Sequence, residues 1–416
     1  MYIPRAIEKT ILEMSAQFRV VLLTGPRQCG KSTLFKHLAE TDKSCNRAYV
    51  TLDDLNQRKL AKADPALFIE THRAPVFIDE IQYAPEILPY IKMRVDQENE
   101  RGMYWLSGSQ MFQTMKGVTE SLAGRVGIVR MLGFSRSEII GYESTPFDTS
   151  HERLRKRFER VPNLNIHEVF SMIHRGTLPE LYAFPNIKTD SFYSSYLSTY
   201  IKRDVRDLTQ VADETTFVDF LTAVAARTSE PLVMEDLARE VGISNPTVKR
   251  WLSILATSGL IVLLPAYHKN VLKRAVKMPK LHFLDLGLAA HLLKWNSPET
   301  LEAGAMAGRF FESWVFSEIY KSFLNSGLEP PLFYYRDKQK NEIDLLLLQD
   351  GIVHPVEIKK TASPGYNSVI NFRQLAALDT LTNEQRVTVG DGCVLCMISE
   401  PLPESARNWY IPAWLV

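Results

Sequence analysis

Val20-Val21-Leu22-Leu23-Thr24-Gly25-Pro26-Arg27-Gln28-Cys29-Gly30-Lys31-Ser32-Thr33 is the stretch that decides the fold. Its apolar run has strand character, a loop follows from Gly25 to Gly30, and Lys31 opens a helix through Leu34, Phe35, His37 and Leu38. This is G-x-x-x-x-G-K-[ST] in the strand–loop–helix setting that the pattern requires. The two glycines let the backbone curl so that its N–H groups face one anion, and the helix start adds its positive dipole end. Lys31 places a point charge on the β- and γ-phosphates, and the Ser32 hydroxyl suits Mg²⁺. The expected ligands are therefore the phosphates of a nucleotide and Mg²⁺, held by Gly25, Pro26, Arg27, Gln28, Cys29, Gly30, Lys31, Ser32 and Thr33.

Working outward, Ala6 to Phe18 carries apolar residues at helical spacing and leads into this strand. Downstream, Arg47 to Asp54 is a strand ending in two acids, and Pro75-Val76-Phe77-Ile78-Asp79-Glu80 is a second that ends in Asp-Glu. Alone such a pair reads as solvated capping of a strand end; after a phosphate loop the favoured reading gives Asp79 to the Mg²⁺ shell and Glu80 to the attacking water as general base. Met103 to Gln110 is a further strand running into small polar residues. Ser107 and Ser109 are both candidates to sense the γ-phosphate, and the sequence does not choose between them or against an ordinary turn. Arg125, after Leu122-Ala123-Gly124, is either a transition-state arginine, in its own site or a neighbour's, or an exposed surface residue. Strands alternating with helices through about residue 140 predict a parallel, three-layer α/β domain.

Composition narrows the rest. A chain of 416 residues exceeds one compact core and predicts two to four domains. With 49 Lys and Arg against 48 Asp and Glu, the net charge of +1 offers no global pull toward nucleic acid or membrane, so a basic surface must be local. Four cysteines are too few for a disulfide scaffold. Cys393 and Cys396 have C-x-x-C spacing but sit in a run that reads as a buried strand, with no second pair to complete a zinc site. The N-terminus lacks an apolar signal region and no run reaches membrane-spanning length, so a cytoplasmic protein without membrane contact is expected.

In the middle, a charged helix covers His151 to Phe158, its basic run fitting a solvated face better than a nucleic-acid contact. A second helix, from Ser191 to Val205, places aromatics in a core. Pro231 to Leu252 reads as helix-turn-helix: Leu237, Ala238 and Val241 share a face, Gly242 turns, Ser244 or Asn245 caps the second helix, and Pro246 fills its first turn. Leu260 to Leu264 follows as a wing strand. Thr247, Lys249 and Arg250 on the second helix suit double-stranded DNA, although such modules also serve as packing units.

Near the C-terminus, Glu312 lies early in an amphipathic helix, Asp344 on the second strand of a hairpin turning at Lys338 to Asn341, and Glu357 and Lys359 two apart on the next strand. Alternation puts the last two on one face. That order suits a metal-dependent nuclease core: Asp344 and Glu357 with Glu312 on Mg²⁺, and Lys359 on the water or the attacked phosphate. A non-catalytic remnant would keep the same four residues.

The chain resembles the prokaryotic AAA-type ATP-binding proteins that join an N-terminal P-loop ATPase domain to a C-terminal domain of unknown function, itself similar to PD-(D/E)XK nucleases. The resemblance covers nearly the whole chain. It rests on Gly25 to Thr33, Phe77 to Gln82, Leu106 to Ser109 and Leu122 to Arg125. It also rests on Tyr196 to Val205, Leu284-Asp285-Leu286-Gly287, and the set Glu312, Asp344, Glu357-Ile358-Lys359. It implies ATP binding and hydrolysis and no settled biological role. The expected architecture is α/β: an ATPase domain over 1–145, a helical linker over 146–228, a winged helix over 229–268 and a nuclease-like domain over 269–416. The expected function is an ATPase whose nucleotide state repositions a DNA-facing half. Its rival is a nucleotide-switched protein-interaction module, and either is compatible with a homo-oligomer.

Overall fold

The computed structural model describes residues 2–42, 45–108, 118, 121–200, 214–268, 278–337, 339–377 and 388–416. Five apolar runs short enough for strands become one parallel sheet. They are β1 (Val20–Thr24), β2 (Ala48–Thr51), β3 (Val76–Asp79), β4 (Tyr104–Gly108) and β5 (Val126–Arg130), in the spatial order β2-β3-β4-β1-β5. All four pairings are parallel, which requires a crossover helix between successive strands. Among the described residues these helices include α1 (Glu8–Gln17), α2 (Lys31–Thr41), α3 (Leu55–Ala63), α4 (Pro65–Thr71) and α5 (Leu88–Glu98). Helices on both faces explain why β1, β3 and β4 are buried at every position rather than alternating. Two apolar layers result: Leu22, Ile78 and Leu106 lie in one, and Leu34, Phe35, Phe77 and Trp105 in the other.

The middle of the chain is helical, with Ile166–Arg175 capped by Asn165 and Glu168 in a reciprocal capping box. Helix Glu214–Ala226 then leads to β6 (Glu230–Pro231), helices Met234–Val241 and Asn245–Thr257, β7 (Ile261–Leu264) and β8 (Lys280–Phe283). The three strands form an antiparallel sheet in the order β6-β8-β7. Gly242 makes the expected turn at φ +74, and Ser244 rather than Asn245 caps the second helix, accepting from the Thr247 N–H.

Two expected boundaries need correction. The sheet begun by β6 closes only with β8, so the unit runs past the expected end at 268. Its first helix, Glu214–Ala226, lies in the expected linker. The middle and C-terminal parts also share one hydrophobic core, running from Leu132 through Phe220, Trp251 and Phe310 to Val416. The physical reason is that β8 pairs with β7 and also packs against helix Ala307–Asn325, which faces the C-terminal sheet.

That sheet contains β9 (Leu332–Arg336), β10 (Glu342–Gln349), β11 (Ile352–Ile358), β12 (Thr388–Val389), β13 (Gly392–Cys396), β14 (Leu402–Pro403) and β15 (Asn408–Pro412). Its order is β14-β15-β13-β11-β10-β9 with β12 beside β11. Cys393 and Cys396, three apart on β13, enter apolar clusters on opposite faces, and burial pushes both thiols up, Cys396 to about 11. C-x-x-C chemistry is thereby closed off. No helix of the described residues is long and apolar enough to cross a membrane.

Candidate functional site

The phosphate loop sits at the C-terminal end of β1, where the parallel sheet delivers it to the start of α2. Gly25 is dictated by crowding, because a Cβ there would lie 1.9 Å from the Met131 carbonyl oxygen. Gly30 caps α2 at φ +95, a left-handed conformation that glycine adopts without cost. Lys31 is 7% exposed, and its Nζ donates to the Gly25 carbonyl at 3.0 Å and the Pro26 carbonyl at 2.7 Å. A buried ammonium held by two loop carbonyls is one for which phosphate oxygens, carrying charge, compete well.

Asp79 ends β3, 5% exposed, and accepts from Ser107 and, at 3.3 Å, from the Tyr49 hydroxyl. Ser107 is thus engaged with Asp79 and positions that carboxylate, while Ser109 lies outside the described residues. Glu80 adopts φ +59, a conformation costing a non-glycine residue about 1–2 kcal/mol, and accepts from Gln82. Strain of this kind collects where a side chain must be aimed. Glu80, Asp53, Lys31, Ser32 and Thr33 all line one cavity. The donor set of Ser32 and Asp79 is a hard-oxygen pair of the type that Mg²⁺ accepts alongside phosphate and water.

Three features of this cavity and of the loop beside it were not legible in the motif. Its far wall comes from the middle of the chain, through Pro179, Glu180, Ala183 and Phe184. Its near wall includes Tyr2, Ile3 and Arg5. Arg5 is 5% exposed: it pairs with Glu138 at 2.8 Å and donates to the Cys29 carbonyl of the phosphate loop at 2.9 Å and the Leu132 carbonyl at 2.8 Å. The third feature is the turn after helix Asn245–Thr257: a Cβ built on Gly259 would lie 3.1 Å from Pro26 Cγ and Cδ. The phosphate loop therefore packs directly on the small antiparallel unit. Pairings 133 residues apart leave no spacing signal in a sequence.

Arg125 is a correction. It immediately precedes β5, and β5 runs parallel to β1 from the Val20–Val126 register pair, so Arg125 lies at the end of the sheet opposite the phosphate loop. There it forms a two-pronged pair with Asp96, at 2.6 and 2.8 Å, which holds that carboxyl below its usual range. The fold does not bring it to its own chain's site.

The four C-terminal residues do converge, but not as three acids around one metal. Lys280 of β8, 1% exposed in its side chain, puts Nζ 2.6 Å from Glu312, 2.7 Å from Glu342 and 3.4 Å from Asp344. Lys359 Nζ lies 2.6 Å from Glu357 and 3.9 Å from Asp344. The second Asp344 oxygen accepts from the Ile358 N–H at 2.8 Å. Burial and the neighbouring Asp344 push Glu357 up to about 8 and Glu312 up to about 7, with the lysines pulling the other way. Burial works to lower Lys280, yet Glu312, Asp344 and Glu342 hold it well above the usual lysine range. Among the described residues no group of three His, Cys, Asp or Glu could hold a metal ion. The expected set of Glu312, Asp344 and Glu357 therefore does not fit Mg²⁺ as it stands, because a lysine with no place in the expected motif fills the space between the acids.

On helix Asn245–Thr257, Val248, Trp251, Leu252 and Leu255 are buried, while Lys249 and Arg250 lie on the exposed face. Leu284-Asp285-Leu286-Gly287 has a structural explanation. Asp285 caps the next helix at the Leu288 N–H and accepts from Thr177 and Tyr193, while Gly287 leaves room for the Tyr193 hydroxyl.

Three family profiles match the chain: an AAA domain over residues 17–140, a domain of unknown function (DUF8612) over 166–299, and another (DUF4143) over 307–416. The chain is 27% identical over 382 residues to the uncharacterized proteins Mb2031c of Mycobacterium bovis and Rv2008c of Mycobacterium tuberculosis, covering 90% of this chain and 79% of theirs. Among solved structures it is similar to the Walker-type ATPase PABY2304 of Pyrococcus abyssi. That match has 16% identity and a TM-score of 0.43, covering 70% of this chain and 96% of that one. A second is AMPPCP-bound DnaA from Aquifex aeolicus, with 12% identity and a TM-score of 0.29 over 60% and 85% of the two chains. The N-terminal part of this chain thus combines a five-stranded parallel sheet and a G-x-x-x-x-G-K-[ST] loop with a match to the AAA domain profile, and the remainder matches two domains of unknown function.

Proposed function

We propose that the chain is a Mg²⁺-dependent ATPase whose nucleotide state is passed to a winged-helix module that contacts double-stranded DNA. The observation that carries this reading is the packing of Pro26, inside the phosphate loop, on Gly259, at the end of the helix that exposes Lys249 and Arg250. In this reading the loop amides from Gly25 to Thr33 receive the phosphates, and Lys31 exchanges the Gly25 and Pro26 carbonyls for phosphate oxygens. Freed of Lys31, the Pro26 peptide is the part of the loop that moves against Gly259. Ser32 and Asp79 would hold Mg²⁺, which supplies charge neutralisation on the phosphates. Glu80 takes a proton from the attacking water, and Ser107 keeps Asp79 in place.

The test is ATP hydrolysis with and without duplex DNA, wild type beside Glu80→Gln. DNA stimulates the wild type. The variant binds ATP and turns over about 10²–10⁴-fold more slowly, the usual contribution of a general base. DNA affinity falls steeply with salt, and replacing Lys249 and Arg250 by alanine reduces the salt slope by about one for each phosphate no longer neutralised. Hydrolysis indifferent to DNA moves the output to a protein partner, with the helix serving as scaffold.

A further inference from the structure

The C-terminal carboxylate cluster already contains a cation, and it belongs to the chain. Lys280 Nζ carries three N–H donors and stands within 3.4 Å of three carboxylates: Glu312 from helix Ala307–Asn325, and Glu342 and Asp344 from β10. Hydrogen bonds to Glu342 and Asp344 fix its direction. The remaining Asp344 oxygen accepts from the Ile358 amide and faces Lys359, so each Asp344 oxygen already meets a donor of the chain. Mg²⁺ and Mn²⁺ require several oxygens at short range around one point, with waters completing the shell. Here that point coincides with a buried ammonium.

We infer that Lys280 is the resident counter-ion of this cluster, that it excludes divalent cations from Glu312, Glu342 and Asp344, and that removing its charge creates a divalent-cation site. The nuclease-like arrangement is in this chain an internal ion clamp. It fastens the small sheet, through β8, to the C-terminal sheet, through β10. Charge accounts for both halves of the statement. With Lys280 present, a dication would stand a few ångströms from a desolvated like charge. Without it, the cations that the carboxylates of Glu312, Glu342, Asp344 and Glu357 face among the described residues are Lys359 and, at the rim, Arg336 3.7 Å from Glu342. The inference is independent of what the phosphate loop binds.

The experiment uses the full, nucleotide-free chain and Mn²⁺ alone as probe, with free Mn²⁺ followed by electron paramagnetic resonance. Any weak binding at the phosphate loop is common to every variant and cancels. Wild type and Asp344→Asn give superimposable titrations. Lys280→Met gains one Mn²⁺ at least tenfold tighter than any wild-type site, and Lys280→Met combined with Asp344→Asn loses it. Mn²⁺ binding by wild type that Asp344→Asn abolishes would overturn the inference. A folded Lys280→Met chain with no added site would overturn it equally. The comparison of wild type with Asp344→Asn decides cation exclusion even where Lys280→Met does not fold.

Discussion

Gly259→Ala offers a sharp test of the link between the nucleotide site and the rest of the chain, because the fold supplies a matched control. Gly259 and Gly242 both have φ +74, so an added methyl costs each about 1–2 kcal/mol of backbone strain. The space around them differs. Nothing lies within 4 Å of a Cβ at Gly242, whereas at Gly259 it meets Pro26 Cγ and Cδ at 3.1 Å and Leu132 Cδ2 at 3.3 Å. Overpacking of that kind costs typically about 1–3 kcal/mol, and the neighbour with room to give is the phosphate loop. If about 1 kcal/mol falls on the loop's binding conformation, nucleotide affinity drops about fivefold. Gly242→Ala should therefore be destabilised in urea melts with unchanged affinity for a fluorescent ATP analogue. Gly259→Ala should be destabilised by more and bind that analogue about fivefold more weakly. Wild-type affinity in a destabilised Gly259→Ala chain would refute the claim that the turn bears on the phosphate loop.

Three further outcomes follow from the same structure. Lys31→Ala removes the ammonium that Gly25 and Pro26 hold and should abolish nucleotide binding and hydrolysis while leaving thermal unfolding close to wild type, as read by equilibrium binding and phosphate release. Arg5→Met leaves Glu138 buried without its ion-pair partner. Removal of one member of such a pair costs about 3–5 kcal/mol, and without the hydrogen bond to the Cys29 carbonyl nucleotide binding should weaken as well, both measurable by melts with and without ATP. Glu357, raised to about 8 by burial and by Asp344, contributes stability that is fully present below its unfolded value near 4.5 and is lost as pH rises through about 8. Over that window wild-type stability should fall more steeply than that of Glu357→Gln, and parallel pH profiles would count against the shift.

The N-terminal parallel-sheet domain was legible because its signals are local. Gly25 to Thr33 form the loop from consecutive residues, and Asp79-Glu80 and Ser107 come to it on strands whose apolar runs announce them. The turn between helices Met234–Val241 and Asn245–Thr257 was legible for the same reason, from Gly242 and the Ser244 cap. Lys280–Phe283 also reads as a strand, but its place in the small sheet was not legible, since it declares its partner only on pairing with β7. Near the C-terminus the order of Glu312, Asp344, Glu357 and Lys359 hinted at a cluster, yet the sequence could not say what stands between them. Lys280 is 62 residues from Glu342 and enters from another sheet. Arg125 shows the converse: its type suited either a transition-state role or an exposed surface, and the direction of β5 decided against the site of its own chain. By itself, then, the sequence determined the strand–loop–helix at Gly25 to Thr33 and the strand ends that carry Asp79 and Ser107, because backbone turns and strand periods are set by neighbours in the chain. Tertiary structure alone decided which charges meet, because a buried ion pair forms wherever packing brings two desolvated groups within reach, whatever their separation along the chain.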